Sequence, residues 1–275
     1  MTQDPHLVTR DRHGAKKWLR HKGFGFAAAM NVLPIAAAEL SHAARALPLG
    51  FVTDAGKTMP VAILGLQPGQ NYFVAPDGRW VGLYTPAALR GYPFRLGRTN
   101  AAGDTNFALL VDEASGLVID LGVGEEGIPF FDLEGKPHAE TQRVLEFLAK
   151  TRQSMEAGER AAALLAEKGL LEPWPMALKD GEKEKRVDGV SRVSEAALSK
   201  LSAEDLVALR DGGALPLAYA QLISMANITL LSTLAQAHAK AKAQKASRMT
   251  VPEGSFMPDE DDSLKIDWNE FLKDK

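Results

Sequence analysis

The sequence predicts an α+β fold: a β-rich N-terminal half with Gly/Pro turns, packed with a mainly helical C-terminal half and followed by an acidic C-terminal tail. Three observations carry this expectation. Up to about residue 136, Gly and Pro recur every several residues between short apolar runs, the pattern of short strands joined by turns. From His138 onward the apolar residues fall at helical spacing, beginning with Val144, Leu145, Phe147 and Leu148. The last segment opens with Pro252-Glu-Gly254 and carries Asp259-Glu-Asp-Asp262, a composition that favours an extended, solvated chain. The expected organisation is a basic arm over 1–23, one α+β domain over 24–247 (β-rich 24–136, helical 137–247), and an acidic tail over 248–275 with a short amphipathic segment.

The arm carries Arg10, Arg12, Lys16, Lys17, Arg20 and Lys22 without a continuous apolar run, so it reads as a solvated tail or as a contact for an anionic polymer or acidic partner. Pro34 to Arg45 places Pro ahead of an Ala-rich stretch and predicts a short helix. Strands are expected at Val61-Ala-Ile-Leu64, Tyr72-Phe-Val74, Phe107-Ala-Leu-Leu-Val111 and Leu117-Val-Ile-Asp-Leu121. Between the second and third of these, Ala75-Pro-Asp-Gly78 supplies a preset Pro and a Gly that tolerates positive φ, which predicts a hairpin.

In the helical half, the apolar face that starts at Val144 continues through Met155, Ala162 and Leu165, so one long helix should run to Lys168 and stop at Gly169. Leu171 to Val193 is polar and turn-rich. Ser194 and Ser202, each followed by acids, predict the starts of two short helices. A longer helix is expected from Ala214 to about Lys245, ending in Lys240, Lys242 and Lys245, whose charges suit a helix C-terminus.

Composition excludes several classes of function. A chain of 275 residues with 45% hydrophobic and 24% charged residues is ordinary for a globular protein, and a net charge of −3 gives no general attraction to nucleic acid. The absence of cysteine removes disulfides, thiol nucleophiles and thiolate metal sites together. The longest apolar candidate, Ala214 to Ala237, is interrupted by Gln221, Ser224, Asn227, Thr229, Ser232, Thr233 and Gln236, so no membrane span is expected. Lacking a signal peptide, the chain is expected in the cytoplasm, or exported without a cleaved signal to the cell surface.

The densest chemistry lies in Asp77-Gly-Arg-Trp80, Tyr84-Thr-Pro86 and Leu89-Arg90-Gly91-Tyr92-Pro93-Phe94. Arg79, Trp80, Tyr84, Arg90, Tyr92, Phe94 and Arg95 would form a surface where rings stack on sugars or peptides and guanidinium groups take carboxylate or phosphate. In the competing reading the same rings are the core of the β-rich half, and Arg90 belongs to a structural hydrogen-bond network.

This block resembles the SapC family of bacterial proteins, in which a Gly-Arg-Trp turn leads into Tyr-x-Pro and then Arg-x-Tyr-Pro-Phe. The resemblance extends over about residues 24 to 232 through Val32-Leu-Pro34, Glu39-Leu40, Leu47-Pro-Leu-Gly-Phe51, Pro60-Val-Ala-Ile-Leu-Gly65 and Gln70-Asn71-Tyr-Phe73. It departs at Gly91, where a second basic residue often follows the arginine, and at Ala88-Leu89, where a Tyr-Val-like pair is frequent. The family takes its name from a surface-layer gene cluster, so the resemblance implies a surface-associated structural role. The peptide-transporter permease that shares the name is excluded, because one interrupted apolar segment cannot make a permease.

Elsewhere the catalytic signals are thin. The six histidines have no partner at a recognised metal spacing, and His42 and Glu39 read as a surface pair at i and i+3 of a helix. No nucleophile elbow, phosphate loop or dinucleotide fingerprint is present, and no cofactor or metal is expected. Asp112-Glu113, Asp120, Glu125-Glu126 and Asp132 could do acid–base work only if folding brought them together. In the tail, Leu264, Trp268, Phe271 and Leu272 fall at i, i+4, i+7 and i+8, one face of a short helix that would dock on a partner's groove or on the chain's own body. The expectation is a non-enzymatic structural or binding protein that self-associates or meets a protein partner, with a carbohydrate or peptide as possible ligand. The alternative is an enzyme or accessory acting on carbohydrate or peptide through the carboxylates of 112–132.

Overall fold

The computed structural model describes residues 4–98, 107–124, 126–180, 183–187 and 189–249. The first half comprises β1 (Pro5–Leu7), α1 (Arg10–His13), β2 (Lys16–Trp18), β3 (Val32–Pro34), α2 (Leu40–Ala43), β4 (Leu49–Asp54), β5 (Lys57–Ile63), α3 (Ala87–Arg90), β6 (Phe94–Arg98), β7 (Phe107–Asp112), β8 (Val118–Asp120) and β9 (Ile128–Pro129). The second comprises α4 (Ala139–Glu167), β10 (Leu171–Pro173), β11 (Met176–Asp180), β12 (Lys183–Val187), β13 (Val190–Val193), α5 (Glu195–Leu198), α6 (Ala203–Asp211), α7 (Ala214–Ser224) and α8 (Ile228–Met249). This is the α+β architecture expected, with sheets in the first half and helices dominating the second.

The main sheet runs β10-β13-β4-β5-β3, all antiparallel. Two strands of the helical half therefore belong to the sheet of the first, which corrects the reading of Leu171 to Val193 as turns. Val190 and Val193 are buried and Val190 stands opposite Val52, a pairing between residues too distant in sequence to leave a local signal. One face of this sheet packs against α4 and α7 to form the large core of Phe51, Ile63, Leu165, Leu217 and Leu234. A smaller core of Trp18, Phe94, Leu109, Val111 and Phe130 takes Val144, Leu145 and Leu148 from the first turns of α4. The long helix thus ties both cores together, with Ala161, Ala162 and Leu165 in one and its N-terminal end on the other. It ends as expected at Gly169, whose φ of 66° is the left-handed conformation that terminates helices.

Other expectations resolve in detail. Tyr72 to Val74 is no strand; its residues are buried in turns and joined to Trp80 by an isolated antiparallel bridge from Val74. The turn at Ala75–Gly78 closes as predicted, with Gly78 N donating to Ala75 O at 2.8 Å and Ala75 N to Arg79 O at 2.8 Å. Ser202 caps α6 through Asp205 N at 3.0 Å, whereas Ser194 makes no side-chain cap to α5. The helix over 214–245 is split into α7 and α8 by a tight turn at Met225–Asn227. By length and composition Ala214–Gln244 is apolar enough to cross a membrane, yet Leu217, Gln221, Ser224, Leu231 and Leu234 from it are buried against the core.

Residues 5–18, expected as a solvated arm, are folded. His6 in β1 stands opposite Val111, and β2 is the middle strand of β8-β2-β9. The cations that suggested an arm are matched by acids of the body: Arg12 to Glu113 (2.7 Å), Arg20 to Glu140 (2.6 Å) and Lys22 to Glu126 (3.5 Å). Lys17 is buried and donates to Gly124 O at 2.7 Å, while Trp18 fills the small core. Here charge pairing and one buried tryptophan outweigh the polarity of the segment.

This layer carries a titratable pair. His13 is fully buried against Phe130, its Nδ1 accepts from Thr9 N at 3.3 Å, and its Nε2 lies 3.0 Å from Glu113 Oε1 without hydrogen-bond alignment. Burial pushes the His13 imidazole below its ordinary 6.5, and burial does the same for His21 and His238. The hydrogen bond from Arg12 holds the Glu113 carboxyl down at about 2. A depressed folded-state value means that the unfolded chain binds more protons as pH falls. Stability should therefore be flat from pH 6.5 up to the ordinary tyrosine value of 10, above which the raised Tyr84 phenol lowers it; below 6.5 it should decline as the histidines charge in the unfolded chain, and again from 4.5 towards 2 as Glu113 is lost. Thermal unfolding across this range checks it. His13→Gln should flatten part of the first decline, and an unchanged profile in that variant would remove His13 from the explanation.

Candidate functional site

A cleft lies where α2, α3 and α4 meet, and it begins with a carboxylate. After β3, Ala37–Glu39 makes a single tight turn in which Glu39 Oε1 reaches back to accept from Ala36 N at 2.8 Å. Glu39 Oε2 accepts from Tyr84 OH and from Ala87 N, both at 2.8 Å. Ala87 opens α3, where Pro86 sets the chain direction, so its amide is one of the first-turn donors that no helical carbonyl can satisfy. The Glu39 side chain is only 5% exposed, yet its two oxygens meet three donors. Glu39 is thus no member of a surface pair with His42, as its sequence position suggested; the turn directs its carboxylate inward.

Tyr84 and Arg90 build outward from this base. Burial, together with the Glu39 acceptor, pushes the Tyr84 phenol up to about 12, so it remains a donor at every physiological pH. Its oxygen also accepts from Arg90 Nη2 at 3.3 Å. The Arg90 guanidinium lies 5.8 Å from the Tyr84 ring centre and 5.3 Å from that of Phe147 on α4. This cation–π clamp fixes its plane while leaving the side chain 46% exposed. His42, exposed, stacks on Tyr84 at 5.7 Å and 14°. Lys150, Thr151 and Ser154 of α4 complete a cleft of about 370 Å³, with Ser154 Oγ accepting from Ala38 N at 2.8 Å.

The remaining residues of the aromatic–arginine block do not join this site. Arg79 pairs with Asp77 of its own turn at 2.6 Å. Trp80 is half-buried, stacked on Phe73 at 5.4 Å, and donates Nε1 to Tyr84 O at 3.0 Å. Tyr92 stacks on Phe26 at 3.8 Å, and Phe94 is buried edge-on to Trp18. Arg95 is exposed on β6. The expected surface therefore divides: Tyr84 and Arg90 face one cleft, Trp80 and Phe94 serve the two cores, and Tyr92 joins an aromatic cluster with Phe24, Phe26 and His21. Leu264, Trp268, Phe271 and Leu272 lie outside the described residues.

The acids of 112–132 are dispersed over strand ends and turns. Asp112 accepts from Asp4 N (2.9 Å) and Ala114 N (3.2 Å), Glu113 is held by Arg12, and Asp132 accepts from Glu134 N and Lys136 N (2.9 Å each). Asp120 and Glu126 are exposed, and Glu125 lies outside the described residues. None lines the Glu39 cleft, nor a second cleft of about 410 Å³ between the β4–β5 turn and α4, where Lys57, Glu156, Glu159 and Arg160 stand. No group of three or more His, Asp or Glu among the described residues is arranged to hold a metal ion.

Among known families, a family model described as SapC matches residues 8–231. The chain belongs to the SapC family. The match starts just after β1 and ends within α8, so the SapC region includes the N-terminal layer as well as both halves of the main sheet. Glu39, Tyr84 and Arg90, drawn from three separate motifs of the SapC resemblance, are the residues that the fold assembles into one site. No curated protein and no solved structure matches the chain.

Proposed function

We propose that this SapC-family chain is a non-enzymatic binding protein that holds an acidic segment of a protein partner in the Tyr84–Arg90 cleft, within a surface-associated or self-associating structure. The observation that carries the reading is the contrast between the two charges of the site. Glu39 is buried and occupied by three donors, which makes it a structural anchor. Arg90 is half exposed, clamped between two rings, with guanidinium donors to spare, and Lys150 and His42 stand exposed at the same rim. An oriented guanidinium over an apolar wall suits a carboxylate carried next to a ring. Tyr84 is already covered by His42 and Arg90, which favours such a peptide over a sugar that needs an open ring face.

The test is titration of the full chain with acetyl-Asp-Trp-amide. Saturable binding is expected, weakened about tenfold or more by Arg90→Ala, reduced by salt, and unchanged by Arg79→Ala. Equal affinity in the Arg90→Ala chain would refute the assignment of the cleft, and hydrolysis of the peptide would move the protein to the enzymes.

A further inference from the structure

The external ligand has a counterpart within the chain. We propose that the chain's own residues 264–272 occupy the Tyr84–Arg90 cleft in the same molecule and compete there with a partner's acidic segment; this rests on the cleft being the binding site described above. The chemistry matches, because the segment contains two acid–aromatic pairs, Asp267-Trp268 and Glu270-Phe271, within the apolar series Leu264, Trp268, Phe271 and Leu272. The cleft offers what such a pair needs: Arg90 and Lys150 for the carboxylate, and the Phe147 ring with Ala36, Ala38 and Ala87 for the apolar side chain.

Charge points the same way. Residues 250–275 hold eight acids and three lysines, a net −5, so the total of −3 leaves +2 on residues 1–249. Attraction between the two parts is thus built into one chain; Glu39 Oε2, 3.9 Å from Arg90 Nη2, takes up part of the Arg90 charge, and exposed Lys150 supplies a second cation at the rim. Reach is sufficient: the 15 residues from Thr250 to Leu264 span up to about 50 Å when extended, and a body of this size is about 45 Å across. A ligand carried on the same chain acts at an effective concentration on the order of millimolar, so a weak intrinsic affinity suffices for occupancy.

Two measurements on the full chain separate this inference from the reading beneath it. Hydrogen exchange of the 264–272 amides at low protein concentration should be about tenfold slower in the wild type than in Arg90→Ala. In the double variant Trp268→Ala/Phe271→Ala, acetyl-Asp-Trp-amide should bind about tenfold tighter than to the wild type, because its site is no longer shared. Equal exchange in wild type and Arg90→Ala, with peptide affinity indifferent to the tail variant, would overturn the tail as occupant while Arg90-dependent peptide binding still stood. Peptide binding indifferent to Arg90 in every chain would overturn both.

Discussion

Glu39→Ala lowers the thermal midpoint by on the order of 10 °C, the largest effect expected from any single residue of the cleft. The variant removes the acceptor for Ala36 N, Tyr84 OH and Ala87 N at once. Each buried donor left without a partner costs about 1–3 kcal/mol, and water entering through the open cleft offsets part of this, so the net loss is about 3 kcal/mol. Glu39→Gln keeps one acceptor oxygen and should fall between the two. A second readout separates loss of the acceptor from general damage to the fold: without Glu39 the Tyr84 phenol should fall below about 12 towards its ordinary 10, with burial still holding it up. Absorbance titration of the tyrosines measures it. A midpoint unchanged in Glu39→Ala would show that the carboxylate does not anchor α3 to the turn before α2.

Gly65→Ala is the second large effect, and it acts through backbone. A Cβ at Gly65 would stand 1.8 Å from the carbonyl oxygen of Gln70 and 2.9 Å from its carbon. Neither atom can move alone, because the loop is pinned on both sides. Leu64 N and Gly65 N both donate to Asn31 O (2.8 and 3.0 Å), Asn71 N donates to Ala28 O (2.9 Å), and Tyr72 N returns to Leu64 O (2.8 Å). Relief would have to displace Tyr72 and Phe73, both fully buried in the large core. Overpacking ordinarily costs about 1–3 kcal/mol, and with backbone on both sides of the clash the upper end or more is expected. Denaturant unfolding would show it as a fall in midpoint; a variant as stable as the wild type would mean that the loop relaxes freely.

The same residues show how far the sequence could be read. The Pro60 to Gly65 motif marked a strand and its end, both of which the fold contains, but the reason for glycine there is a carbonyl five residues on whose approach no local pattern records. The long helix was legible because one apolar stripe recurs from Val144 to Leu165, and its stop was legible because Gly169 follows. Periodicity of this kind survives folding unchanged. The N-terminal layer is hard to read from sequence for the opposite reason: its charges look solvated until Glu113, Glu126 and Glu140 arrive from more than 100 residues away.

The candidate site divides along the same line. Tyr84 and Arg90 stood out as chemistry-bearing residues, but proximity along the chain placed them in one surface with Arg79, Tyr92 and Phe94, and the turns at Pro86 and Pro93 send these side chains to different neighbours. Glu39 is legible in the sequence as part of the Glu39-Leu40 motif and as a neighbour of His42, neither of which points to Tyr84 or Ala87. Its true partners lie 45 and 48 positions later, a pairing that tertiary structure alone supplies. The local signal is an acid set in an Ala-rich stretch: where such a carboxylate is buried, it must find donors.

Binding in the cleft requires that Arg90, whose Nη2 lies 3.3 Å from Tyr84 OH and 3.9 Å from Glu39 Oε2, turn its remaining guanidinium donors to an incoming carboxylate. The direct measurement is the arginine Nε–H spectrum of the full chain during titration with acetyl-Asp-Trp-amide. The Arg90 signal should shift and saturate while that of Arg79, held by Asp77 at 2.6 Å, stays in place. An Arg90 signal that does not move at saturating peptide would contradict that requirement.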